Sequence, residues 1–116
     1  MSVFGFSKKR RLLEKKEFDF VFQKANRLFQ NEFLILYRKN HYEQARIGFV
    51  ISKKSVSKAV ERNRCRRVVR ESFRNIELPN VDIIFLSRKG LTHLSNQQIK
   101  NKLAQSWQKL SNAQNK

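Results

Sequence analysis

A single cysteine, a single proline and three glycines occur among 116 residues. One cysteine excludes an internal disulfide framework and any zinc site built from several thiolates, and it fits a reducing compartment. So little Pro and Gly leaves no segment that reads as a flexible linker, and no repeat is visible. Residues 1–116 therefore read as one domain, with about 1–10 and 111–116 as a loose basic start and a loose polar end. No apolar run approaches the ~20 residues that span a bilayer. Met1–Phe6 is too short for a signal-peptide core, and the basic run Lys8–Arg11 follows it rather than preceding it. The expectation is a cytoplasmic chain with no membrane partner. Acidic residues are also scarce: nine Asp and Glu stand against 26 Lys and Arg, a net charge of +17. Self-repulsion at that charge opposes a compact state, so a polyanion is the natural partner.

What is present is enough for a core. Hydrophobic residues make up 40% of the chain, with ten Phe. Phe18, Val21, Phe22 and Ala25 share one face of a helix over 14–25, while Phe20 points elsewhere. Phe33–Tyr37, Arg46–Ile51 and Val81–Leu86 are strands by their aromatic and β-branched content, and Arg27–Phe29 is a shorter one. The polar stretch 38–45 reads as a hairpin connection. Val81–Leu86 is almost continuously apolar, as in a strand covered on both faces. Cys65, Val69, Phe73 and Ile76 form the apolar face of a long helix over 57–75, with Ser57 as its N-cap. Ser95 and Gln98 make a capping box for a last helix, whose stripe is Ile99, Leu103, Trp107 and Leu110. Helix, strands, helix, strand, helix is an α/β or α+β order with helices on one sheet face. The strand–helix–strand unit around the middle helix defaults to a right-handed crossover if its strands are parallel.

The segment 53–74 stands out. It carries six Arg between positions 62 and 74, opposed only by Glu61 and Glu71. A solvated helix face normally mixes signs for i,i+4 pairing. Arg in excess, with its planar fork, suits phosphate instead. Arg62, Asn63, Arg64, Arg66, Arg67 and Arg70 are the candidate contacts, and Lys53 and Lys54 extend the same positive surface. Phe18, Phe22, Phe33 and Tyr37 could stack on unpaired bases or simply fill the core. A catalytic set is missing. His41 and His93 lie in polar connections, Cys65 sits on an apolar helix face, the carboxylates are scattered, and no Gly-rich phosphate loop occurs. These features describe a small nucleic-acid-binding domain that performs no covalent chemistry with its own side chains.

The run from Ala59 through Arg62-Asn63-Arg64 to Arg66-Arg67 and Arg70-Glu71 resembles the signature of the bacterial ribonuclease P protein family. Arg11-Leu12, Phe18 with Phe22, Arg46-Ile47-Gly48 and Arg88-Lys89-Gly90 match weaker family features in the same order, so the resemblance spans about residues 9–110. It implies an α+β, two-layer sandwich with a four-stranded sheet, like the second domain of a small-subunit ribosomal protein. It also implies a left-handed βαβ crossover, against the right-handed default. It further implies a protein subunit of an endoribonuclease that removes the 5′ leader of precursor tRNA. The catalytic centre and its Mg2+ belong to a partner RNA, and the protein holds no cofactor and is inactive alone. The arginine helix, with Lys53 and Lys54, then faces the catalytic RNA. Phe18, Phe22 and one sheet aromatic, with Tyr37 as the candidate, line a cleft for the leader. A ribosomal or general RNA-binding protein of the same fold is the alternative. A DNA-binding regulator ranks third, since no base-reading recognition helix or dimer seam is evident.

Overall fold

In the strand Phe33–Lys39, Phe33, Ile35 and Tyr37 turn to one side and Leu34 and Leu36 to the other. Both sides are apolar, so the strand needs cover above and below. The computed structural model, which describes residues 10–42 and 44–114, supplies it. The order is α1 (Lys15–Gln23), β1 (Asn26–Phe29), β2 (Phe33–Lys39), β3 (Arg46–Val50), α2 (Ala59–Arg74), β4 (Val81–Ser87), a 3-10 turn at Leu91–His93, and α3 (Asn96–Gln114). This is an α+β fold with a four-stranded mixed sheet.

The strands lie in the order β1-β2-β4-β3. Only the β3–β4 pair is parallel, and α2 is its crossover. The expected hairpin across 38–45 does not form, because β4 inserts between β2 and β3. Residues Val81–Phe85 of β4 are buried without exception, and so apolar a strand belongs in the sheet interior. Helices also occupy both faces rather than one. α2 and α3 enclose the main core with Phe33, Ile35, Ile47, Ile83 and Phe85, whereas α1 crosses the opposite face over Leu36 and Ile84.

The helix stripes pack as their periodicity requires. Cys65, Val68, Val69 and Phe73 of α2 are buried, as are Ile99, Leu103, Trp107 and Leu110 of α3. Trp107 meets Phe73 edge-on at 6.1 Å and donates its indole N–H to Ser72 Oγ at 2.9 Å. The α3 capping box is present: Gln98 N donates to Ser95 Oγ at 3.1 Å, and Ser95 N to Gln98 Oε1 at 2.8 Å. Two boundaries differ from expectation. Lys58, not Ser57, is the N-cap of α2, and no side chain caps it. Helix α3 extends to Gln114, into the segment read as a polar end. Residues 1–9 and 115–116, which hold the rest of the expected loose ends, lie outside the described residues.

One polar cluster ties the layers together. Arg46 opens β3 and is paired in register with Asp82 of β4. Its Nε and Nη2 donate to the two Asp82 oxygens at 2.8 and 2.7 Å, and its Nη1 donates to Glu17 of α1 at 2.8 Å. Asn40 adds a 2.8 Å hydrogen bond to Asp82, and the Tyr42 ring lies 3.9 Å from the guanidinium. Asp82 is 1% exposed, so this is a bidentate pair away from water. The side-chain hydrogen bonds that Arg46 donates to Asp82 raise its pKa against the opposing effect of burial. For Glu17, burial favours the neutral acid. Hydrogen bonds from the Glu14 and Leu13 N–H groups and the Arg46 charge together outweigh it, and the pKa is lowered.

Removing one partner of such a pair strands the other. Asp82→Ala is expected to cost about 3–5 kcal/mol, measured as a lower midpoint in urea unfolding. Glu17 stabilises the fold above its ordinary unfolded pKa of about 4.3, and this contribution is lost as pH falls through the depressed folded value. In Glu17→Gln that part of the acid dependence should vanish from a stability–pH curve.

Candidate nucleic-acid interface

Helix α2 turns its apolar stripe to the core, and geometry then forces its arginines outward. They do not all do the same work. Arg62 reaches back to its own chain: Nη1 donates to the carbonyls of Val56 and Ser57 at 3.0 and 2.9 Å. Those bonds hold the segment leading into a helix that has no side-chain cap. Arg64 pairs with Glu61 at 2.8 Å and donates to Asn96 Oδ1 at 2.7 Å and the Leu94 carbonyl at 3.2 Å, which bolts α2 to the start of α3. Arg66 donates to Asn63 Oδ1 at 3.1 Å, and Asn63 and Arg67 are exposed. Arg70 lies over the Phe49 ring at 5.2 Å. Burial lowers its pKa, and the charges of Arg11 and Arg66 beside it act in the same direction. Like charges crowded at a half-buried site are unfavourable until an anion joins them.

Lys53 and Lys54 occupy a turn at the end of β3 and are exposed. Three hydroxyls that no motif predicted hold that turn. Ser55 Oγ lies 2.9 Å from Ser52 Oγ and 2.5 Å from Ser87 Oγ, and Ser52 N donates to Ser87 Oγ at 3.1 Å. Since β3 and β4 are parallel neighbours, both finish at the same end of the sheet. The exposed Arg88 and Lys89 therefore follow β4 at the end where Lys53 and Lys54 follow β3.

The other face of the sheet carries the aromatic candidates. Gly48 of β3 faces α1, and a Cβ there would meet Phe18 Cζ at 2.6 Å and Leu12 Cβ at 2.9 Å. Phe18 is thus seated on the bare backbone of Gly48, partly buried. Phe22, one turn later, is 47% exposed. Phe20 points to the opposite side of α1, where the Arg38 guanidinium lies 3.8 Å from its ring. Tyr37 does not belong with them. It is 5% exposed on the α2–α3 side of the sheet, with Phe33 and Ile83, and Leu36 takes the place under α1. Period-two alternation decides this: shifting by one residue reverses the face. The floor beside α1 is instead aliphatic. Val50, Leu86 and Leu34 form one row across β3, β4 and β2, with Leu34 and Leu86 half-buried and Val50 at the rim.

A family model described as Ribonuclease P matches residues 6–111. The chain belongs to the ribonuclease P protein family. The "Ribonuclease P protein component" of Legionella pneumophila strain Corby is 46% identical over 114 residues, covering 98% of this chain and all of that one. Among solved structures, the RNase P protein of Staphylococcus aureus superposes with a TM-score of 0.80 at 25% identity, covering 88% of this chain and 97% of that one. The RNase P protein of Thermotoga maritima gives 0.76 at 30%, covering 85% and 96%. Membership of the ribonuclease P protein family implies an RNA partner for this chain. Burial pushes the Cys65 thiol up, beyond what Arg64 and Arg66 offset, so it packs as an apolar group. His41 and His93 are exposed. Among the described residues no three of His, Cys, Asp and Glu gather into a metal-binding group, and the two carboxylates that converge, Glu17 and Asp82, share Arg46.

The arginines should separate by experiment. Arg64→Gln is expected to lower stability by about 1–3 kcal/mol, because it leaves the Leu94 carbonyl and Glu61 without their donor. Arg66→Glu with Arg67→Glu should leave the melting temperature nearly unchanged. The same pair should weaken binding to a structured RNA and flatten the log affinity–log salt slope by about 0.9 for each phosphate that is no longer neutralised.

Proposed function

We propose that this chain is the protein component of a ribonuclease P ribonucleoprotein, acting in the cytoplasm to help remove the 5′ leader from precursor tRNA. One observation carries the reading: two surfaces suited to RNA lie on opposite sides of the sheet. The outer face of α2, with Arg66, Arg67 and Arg70 and continued by Lys53 and Lys54, presents forked and point cations to a folded RNA backbone. The shelf beside α1, with Phe22 and Phe18 as its wall and Leu34, Leu86 and Val50 as its floor, is apolar, and the exposed Lys53, Lys54, Arg88 and Lys89 follow the β3 and β4 strands that end it. That combination suits an unpaired strand, whose bases stack while its phosphates track the cations. A protein that grips the catalytic RNA with one side can offer the other to the leader.

On this reading the cleavage chemistry and its magnesium ions reside in the RNA. The protein contributes substrate grip and charge neutralisation near the reacting strand. Arg62 and Arg64 support the RNA-binding face indirectly, by fixing where α2 begins and how it meets α3.

The purified protein alone is expected to leave precursor tRNA intact and to restore cleavage when added with the catalytic RNA and magnesium. Cleavage by RNA-free protein would overturn the proposal, and recovery of ribosomal RNA alone from cells would favour a ribosomal partner. Phe22→Leu should lower holoenzyme affinity for precursor tRNA by roughly 10-fold while mature tRNA, which has no leader, binds as before. Phe18→Leu should lower both precursor affinity and melting temperature, since that ring also fills the space over Gly48.

A further inference from the structure

The shelf does not stop at β2. The row Val50–Leu86–Leu34 continues through the register Phe29↔Leu34 onto the edge strand β1, where Phe29 is 62% exposed on the same face. No other Phe, Tyr or Trp ring in the described residues is so open. Two residues earlier, Arg27 pairs with Leu36, so it stands on that face too and is exposed. Alternation thus places an open aromatic ring and an open guanidinium side by side, about 7 Å apart along the strand. An exposed Phe alone needs no explanation. One that completes a four-strand apolar row, with a cation next to it on the same face, suits a base and its phosphate.

Resting on the function proposed above, we infer that β1 is an outlying nucleotide subsite of the leader: Phe29 stacks on a base and Arg27 pairs with the adjoining phosphate. Its position gives it a specific role. Helix α2 lies over the β3 side of the sheet, where Arg70 covers Phe49, and the Lys53–Lys54 turn ends β3. β1 is the opposite edge, packed against α3 through Gln30 and Gln105. A strand leaving the catalytic RNA crosses the β3, β4 and β2 positions first and reaches β1 last. Three strand spacings are about 14 Å, or about four nucleotides at a stacked spacing of 3.4 Å. Phe29 and Arg27 therefore reward only leaders long enough to cross the whole shelf, and they set the leader length at which protein-assisted binding saturates.

The test measures holoenzyme affinity for a series of precursor tRNAs whose leaders grow one nucleotide at a time, with Phe29→Ala and Arg27→Gln against the unaltered chain. Both side chains are exposed, so a melting curve should show each variant folded. The unaltered holoenzyme should gain affinity in steps as the leader lengthens. Phe29→Ala should lose the last step, about 10-fold, while following the same curve at shorter leaders. Arg27→Gln should lower the salt slope by about 0.7 for long leaders only. Curves for the variants that match the unaltered chain at every length would overturn the subsite and leave the leader cleft standing. A loss that is equal at all lengths would also overturn it, by showing a general effect on the domain. An unaltered holoenzyme that binds precursor and mature tRNA equally would overturn the functional reading itself.

Discussion

The buried guanidinium of Arg46 is the constraint on which the arrangement of this molecule rests. Three of its nitrogens are engaged by two carboxylates that come from different elements, Asp82 on β4 and Glu17 on α1. A charge so placed is tolerable only when every partner is in position. The pairing therefore selects one register for β3 against β4 and one height for α1 across the sheet. Two residues along, Gly48 gives the Phe18 ring a place that any side chain would fill. The tripeptide Arg46-Ile47-Gly48 is thus a positioning device with three functions: Arg46 fixes α1 laterally, Gly48 lets it approach, and Ile47 anchors the strand in the core on the other face. The uncovered shelf is what remains of the sheet once α1 has been set there.

Where the sequence alternates or repeats cleanly, its fold was legible. The stripe of α3 and its capping box follow from spacing alone, and the continuous apolar run of β4 announces a central strand. The placement of Tyr37 was not legible, and the reason is physical. Phe33 through Tyr37 is apolar at every position, so no polar residue marks which side is which, and only the pairing with β1 and β4 resolves the face. The connection 38–45 misled for a similar reason. Its composition permits a hairpin, but the choice of neighbour for β2 depends on β4, forty residues further on. Arg46 itself was visible only as part of a family pattern. Its carboxylate partners lie 29 and 36 residues away, beyond any local rule.

The basic helix teaches a related lesson about charge. Six arginines in thirteen positions read as one surface, yet the structure divides them. Arg62 and Arg64 terminate on main-chain carbonyls of their own molecule, while Arg66 reaches only as far as Asn63 on its own helix, Arg67 is exposed and Arg70 lies half-buried over Phe49. Sequence could find the charge but not the allocation, because allocation depends on where carbonyls without helical partners happen to lie. The residues before α2 and the turn before α3 supply them.

Helix α2 is also the only covalent path between the two parallel strands β3 and β4, since parallel neighbours cannot be joined by a tight turn. Six of the chain's twelve arginines are therefore carried by the element that must dock for the sheet to close. A polyanion bound along that helix relieves the repulsion in the folded state, and it stabilises the fold to the extent that it binds the ordered helix more tightly than the unfolded run. By mass action it then acts as a folding ligand, with about 2.7 kcal/mol as the upper bound at a hundred times its dissociation constant, reached only by a ligand that ignores the unfolded chain. An RNA partner held along α2 would thereby raise the fraction of the chain that is folded.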